Sequence, residues 1–553
     1  MSLHYESMTT VPDETARVAQ AVFPKGTLAM QVRDVLYAIY THDDFADLFP
    51  ARGQRALAAW RLALVTILQF IEGLPDRQAA DAVRDRIAWK YALGLELTDQ
   101  GFDFSVLSEF RDRLLAGAAE YRLLNRMLFR LRDRGLLKAR GRQRTDSTHV
   151  LAAIRSLNRL TCVGETLRAA LNAVATVAPE WLRLQITAEW FELYSRRLED
   201  FRLPQRNTER QALASTIGAH GIQLLTAISG PTAPAEVCDL PAVDVLRRVW
   251  IQQYYAPDAD GVVRWRIPDD LPPGAQLIVT PYDVDAHPGN KRSTIWTGYK
   301  VHLTETCEEE LPNLITHVET TNAAQLDAPA LDTIHDHLAA KHLLPQTHIV
   351  DAGYVDSEHL VGSQRDHQVT LLGAVPNDPS WQAHAGKGFD VGCFAVDWEA
   401  QRLTCPAGAQ SRDWKMGTDR HGQEVIHVQF DRQVCAACAQ RSDCTRATTT
   451  GRELTLRPRE QHIALQAARH RQTTAEFKAA YAVRAGVEGS LSQGVRVGGL
   501  RQARYRGLPK TRLQHILTAV GINIIRVLAW LAEPAHAIIP RSRFAALAPT
   551  NSV

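Results

Sequence analysis

Residues 143–154 read QRTDSTHVLAAI, and the chain changes character there. Upstream, from about 27 to 140, apolar residues recur at three- and four-residue intervals in LAMQVRDVLYAIY, RALAAWRLALVTILQFIEG, DRQAADAVRDRIAWKYALG and FSVLSEFRDRLLAG, with short breaks between them. That stretch is expected to be a small helical domain. QRTDSTHVLAAI instead has the polar and β-branched mix of a short strand, with the acid Asp146 inside it.

Downstream, residues 155–230 return to helical periodicity, and Pro-rich turns follow in PTAPAEVCDLPA and IPDDLPPGAQ. Four candidate strands come next: TGYKVHLTET, NLITHVETTNA, QTHIVDAGY and QVTLLGAVP, with LDAPALDTIHDHLAAKHLL as a helix between the second and third. This order predicts an α/β fold with a mixed sheet flanked by helices. The expected organisation is a leader over 1–26, a helical domain over 27–140 and an α/β domain over 141–532. A mostly helical insertion at 155–294, a cysteine-rich insertion at 377–457 and a tail at 533–553 complete it.

At 553 residues the chain is too long for one compact core, and 45% hydrophobic with 22% charged residues describes an ordinary globular protein. The start, MSLHYESMTT, lacks a basic segment followed by an apolar run. Arg61 and Arg526 interrupt the most apolar stretches, so neither reads as a membrane span. The eight cysteines are sparse except between 405 and 444, which points to a reducing, cytoplasmic setting and a local metal site over a disulfide framework.

A net charge of +2 says little by itself, because nucleic-acid binding depends on where positive residues gather. Arg122 to Arg144 holds nine Lys or Arg against the single Asp133, and Arg496 to Arg526 holds seven with no acid. Each stretch is either a solvated helix face or a phosphate-binding surface.

Metal-dependent phosphoryl transfer needs carboxylates converging on two hard cations roughly 3.5–4 Å apart. Asp146 has a strand-like context, and Asp351 ends the apolar strand THIV, at the kind of strand terminus where α/β folds place ligands. In YAVRAGVE, Tyr481, Arg484 and Glu488 are spaced three and then four apart, so a helix puts them on one face, with Arg484 able to hold Glu488 or approach a phosphate. Alone, each acid reads equally as a cap, a turn residue or half of a surface ion pair.

The ordered set of motifs is more specific. RTDSTHV, YDVDAHPGNKRSTIWTGYKVHLTET, VDAGY, FAVDWEAQRLTCPAG and YAVRAGVEGSLSQGVR, preceded by FSVLSEFRDRLL, resemble bacterial insertion-sequence DDE transposases, in the branch whose catalytic domain carries a cysteine-bearing insertion. The resemblance covers nearly the whole chain. It implies an RNase H-like catalytic domain and two Mg²⁺ or Mn²⁺ ions held by Asp146, Asp351 and Glu488. It also implies double-stranded DNA as partner, both terminal inverted repeats and target, and a homodimer on paired ends. The family's last motif continues to a Lys where this chain has Val495, with Arg496 one place further on.

Two further blocks carry expectations. Lys291, Arg292 and Lys300 crowd around Trp296, beside Asp283, Asp285 and His287; either this block contacts DNA, with Trp296 stacking on an unpaired base, or Trp296 packs in the core and the acids form turns. Asp283 and Asp285 are also candidate extra metal ligands. Cys405, Cys435, Cys438 and Cys444 offer four thiolates to a tetrahedral structural zinc, the alternative being free cysteines without metal. Rival functions are a metal-dependent nuclease that cuts without joining and a catalytically silent DNA-binding regulator.

Overall fold

The computed structural model describes residues 10–532, apart from 37, 38, 51, 53–56, 156, 200–202, 292, 387 and 421. The strand expected at QRTDSTHVLAAI is β1, Arg142–Leu151, an inner strand of a six-stranded mixed sheet. Its partners are β3, Thr294–Thr306, which runs antiparallel to it, and β5, Thr347–Val350, which runs parallel. Beyond β5 lies β6, Thr370–Leu372, also parallel. On the far side of β3 lie β2, His287–Lys291, and β4, Ile315–Asn322, each antiparallel to β3 and paired with successive parts of it. Antiparallel strands followed by parallel ones across the first strand make this an RNase H-like arrangement.

β2 falls inside the segment expected to be a helical insertion. β2 pairs with β3, and on a strand with one open edge the missing N–H of Pro288 is tolerated.

Alternation along β3 sends Tyr299, Val301 and Leu303 to one face, where they join a large apolar core. That core also takes Trp60, Ile67 and Leu68 from the helix Ala59–Glu72, Leu124 and Leu128 from the helix Arg122–Asp133, and Ile516, Val520 and Ile524 from the helix Leu508–Ala532. Each such side chain stabilises by about 1.5–3 kcal/mol on burial. The helix Leu508–Ala532 has the length and hydropathy of a membrane span, yet 67% of its apolar window is buried inside the protein. It is a core helix, packed against β4 and the helix Ala59–Glu72.

Two other parts have cores of their own. One, among Leu160, Val163, Ile217, Leu246 and Trp250, belongs to the helices between β1 and β2; the other, among Phe394, Leu403, Val428 and Phe430, belongs to small sheets following β6.

Candidate functional site

Asp146 lies within β1 and Asp351 one residue past the end of β5, so the parallel pairing of these strands brings both carboxylates to one end of the sheet. Glu488 comes from the helix Gly486–Gly498. The expected single helix through YAVRAGVE is tightened at Val483–Ala485 into a 3₁₀ turn between Ala475–Ala482 and Gly486–Gly498. Arg144 donates to the Val483 carbonyl at 2.7 Å, holding that turn against β1.

The three acids line one open cleft of about 490 Å³, with Lys291, Arg484, Val495, Arg496 and Arg501 also on its walls. Arg484 bridges two of them: it lies 2.9 Å from Asp146 Oδ2 and 3.5 Å from Glu488 Oε1. Asp146 Oδ1 accepts the Ser147 N–H at 2.7 Å. Burial holds the Asp146 carboxyl above the usual aspartate range; the Ser147 N–H, Lys291 and Arg484 pull it back, and Asp351 pushes it up again. Glu488 is largely exposed, with 66% of its side-chain surface free.

Two comparisons bear on this arrangement. Residues 404–528 match a family described as Transposase DDE domain, and residues 17–113 match one described as Transposase domain. Residues 404–528 are thus similar to a transposase DDE domain. No curated protein matches it. The stretch matched to the DDE domain includes Glu488 and the four cysteines; Asp146 and Asp351 lie between the two matched stretches.

Around this cleft, the candidate residues part company. Lys291 and Arg496 are exposed on its walls. Tyr481 stacks on Phe477, with ring centroids 5.4 Å apart, and the Arg484 guanidinium sits 5.8 Å from its ring centre. Arg292 lies outside the described residues. Trp296 is only 4% exposed and donates its indole N–H to the Tyr299 carbonyl, so it packs in the core and has no free face for a base. Lys300 is buried too, its ammonium 2.7 Å from Asp327. Asp283 accepts from the Tyr299 hydroxyl at 2.6 Å and Asp285 from the Leu508 N–H at 2.9 Å, so both acids are engaged away from the cleft.

Several residues that sequence reasoning passed over support the acids. Arg501 donates to Thr148 Oγ1 at 2.9 Å on the same strand as Asp146. Asp327 accepts from Ser147 and Lys300, while Tyr354 of the VDAGY motif pairs its hydroxyl with His302 Nδ1 at 2.6 Å. Glu305 on β3 is fully buried and receives Arg144 at 2.6 Å and Arg526 at 2.8 Å, with Ser490 hydrogen-bonded to it as well. This network ties β1 and β3 to the helix bearing Glu488. The basic stretches held a signal for some of these residues, since Arg144, Arg501 and Arg526 belong to them. Other members of those stretches are engaged in ion pairs: Arg122 with Asp47, Arg126 with Asp44, Lys510 with Asp112 and Arg512 with Glu319.

The four cysteines line a common cavity of about 380 Å³ with Phe430 and Arg452. The Arg452 N–H points at Cys435 Sγ, 3.5 Å away. Burial pushes the Cys444 thiol up, Arg452 pulls it back, and the other three thiols raise it, so the four share one local field.

Proposed function

We propose that this protein is an active DNA transposase that cuts at the ends of an insertion sequence and joins those ends to target DNA. The observation that carries the reading is the convergence of Asp146, Asp351 and Glu488 on one cleft walled by Lys291, Arg484, Arg496 and Arg501. An all-oxygen set of carboxylates suits Mg²⁺ or Mn²⁺. When bound, two such ions supply activation of the attacking oxygen and stabilisation of the leaving oxygen in an in-line displacement.

The chain's own residues do the rest. Asp146, Asp351 and Glu488 would hold the ions. Arg484 neutralises Asp146 in their absence, and its five fixed donors suit it to turn towards a phosphate when DNA arrives. Lys291, Arg496 and Arg501 grip the backbone, a sequence-independent contribution that weakens as salt rises. Arg496 takes the place of the lysine that the family's last motif carries one residue earlier. Water first attacks at the element's end, and the freed 3′-hydroxyl then attacks target DNA, so no protein nucleophile is required. Two copies on paired ends form the working complex. The four cysteines would hold a structural zinc that takes no part in the cleft's chemistry.

The deciding experiment is Mg²⁺- or Mn²⁺-dependent cleavage and strand transfer on DNA carrying the element's own ends. Wild type is expected to cut and join, whereas Asp146→Asn, Asp351→Asn and Glu488→Gln bind the ends and do neither. Cutting without joining favours a nuclease, binding without chemistry favours a regulator, and full activity in the variants sinks the site.

A further inference from the structure

Three side chains that no motif singled out meet at the edge of the sheet. His317 and Glu319 stand two residues apart on β4 and therefore share a face, and His337 reaches them from the helix Ala328–Ala340. Nε2 of His317 lies 3.4 Å from Nδ1 of His337 and 3.4 Å from Oε2 of Glu319. Nδ1 of His337 lies 3.7 Å from the same carboxylate oxygen. Three donors at the corners of so regular a triangle are each about 2.0 Å from its centre, which is the bond length that imidazole nitrogen and carboxylate oxygen make to zinc. His317 and Glu319 are buried, while His337 keeps 41% of its side-chain surface open, leaving a way in.

The surroundings hold these groups in place. The Tyr121 ring stacks on His317 with centroids 5.4 Å apart, and its hydroxyl donates to Glu319 Oε2 at 3.3 Å. Arg512 lies 3.6 Å from the other carboxylate oxygen. Lys341 donates to the Thr316 carbonyl at 3.0 Å and stands 3.2 Å from His317 Nδ1. Tyr121 opens the helix Arg122–Asp133 and Arg512 belongs to Leu508–Ala532, so the cluster lies where the amino-terminal helices, the core helix and the sheet edge meet.

We propose that His317, Glu319 and His337 form a binding site for a first-row divalent cation, zinc being the best match, that fastens the helix Ala328–Ala340 to the sheet edge beneath the amino-terminal helices. Two imidazoles select zinc over the hard cations that suit the carboxylate cleft. Loading places the His317 proton on Nδ1; Lys341 gives up its contact there and keeps the Thr316 carbonyl. The fourth position is left to water. The opposing arrangement is metal-free, with Arg512 and Lys341 alone balancing Glu319.

The test uses the full chain carrying Cys435→Ala, which dismantles the four-thiol cavity, stripped of metal and titrated with Co²⁺ in excess Mg²⁺ to fill hard-oxygen sites. One equivalent of Co²⁺ is expected to bind with the visible d–d bands of a four-coordinate site and no sulfur charge-transfer absorption, and Zn²⁺ is expected to displace it. Adding His337→Ala, at a half-exposed position where folding should survive, is expected to weaken binding at least about 10-fold and to abolish the rise in Tm that Zn²⁺ gives. Glu319→Gln serves as the second variant. Absence of Co²⁺ and Zn²⁺ binding at micromolar concentration, or binding and Tm shift unchanged by both variants, overturns the site; neither readout depends on DNA cleavage.

Discussion

Arg144 lies so close against Gly486 that a Cβ on that glycine would fall 2.1 Å from one of its guanidinium nitrogens. Arg144 precedes Asp146 by two residues on β1, and Gly486 precedes Glu488 by two on its helix, so this contact sets how near the two carboxylates approach. Gly486→Ala is expected to push the helix outward and slow metal-dependent cleavage about 100-fold, the scale of a displacement near 1 Å, while end binding persists. Single-turnover cleavage reads this directly, and a rate equal to wild type would mean that Arg144 simply moves aside.

Glu305 is the buried anion between Arg144 and Arg526. Glu305→Ala leaves two guanidiniums facing each other without a counter-charge. The expected loss is about 3–5 kcal/mol in urea unfolding. A midpoint within experimental error of wild type would show that the pair is neutralised by other means.

His515 sits in the middle of the core, bonded through Nδ1 to Thr320 at 2.8 Å and pushed down to about 3 by burial. The unfolded chain binds a proton here near pH 6.5 and the folded chain does not, so stability is whole above that pH and falls as pH drops towards 3. At pH 5 this one group costs about 2 kcal/mol. His515→Gln is therefore expected to flatten the dependence of Tm on pH between 6.5 and 4. An unchanged slope would assign the acid sensitivity to other buried histidines, among them His335, pushed down to about 3, and His302, pushed down to about 4.

For the cysteine cavity, Cys435→Ser is expected to lose one equivalent of zinc relative to wild type and to expose residues 377–457 to limited proteolysis. Carefully purified wild type with no sulfur-bound zinc by elemental and absorption analysis would leave the four thiols as ordinary core residues.

Much of the frame was legible because it is written locally. β1 announces itself in QRTDSTHV, and the apolar run THIV stops at Asp351 just where the chain leaves the sheet. Other assignments failed because a side chain's surroundings in a sheet depend on distant partners. Sequence left Lys300 and Trp296 open between a DNA contact and a packed position; Lys300 meets Asp327 across the sheet face and Trp296 closes on the Tyr299 carbonyl. Arg144 reads as one more member of a basic run; its partner Glu305 lies 161 residues away. The triad at His317, Glu319 and His337 has no motif spacing, since a helix must fold back onto β4 to complete it.

The carboxylate cleft also has a history in time. Asp146 is synthesised early, in a strand whose antiparallel partner is β3 and whose guanidinium neighbour Arg484 is 338 residues further along. The helix that closes the core against the amino-terminal helices, Leu508–Ala532, comes later still. A ribosome-bound chain that stops short of Glu488 has two acids without the third, and one that stops short of Arg526 leaves Glu305 only half balanced. Long-range pairing of this kind is the slow part of folding. The three acids of the cleft therefore come together only once synthesis has passed Glu488, and under the proposed function shorter fragments are expected to be inert.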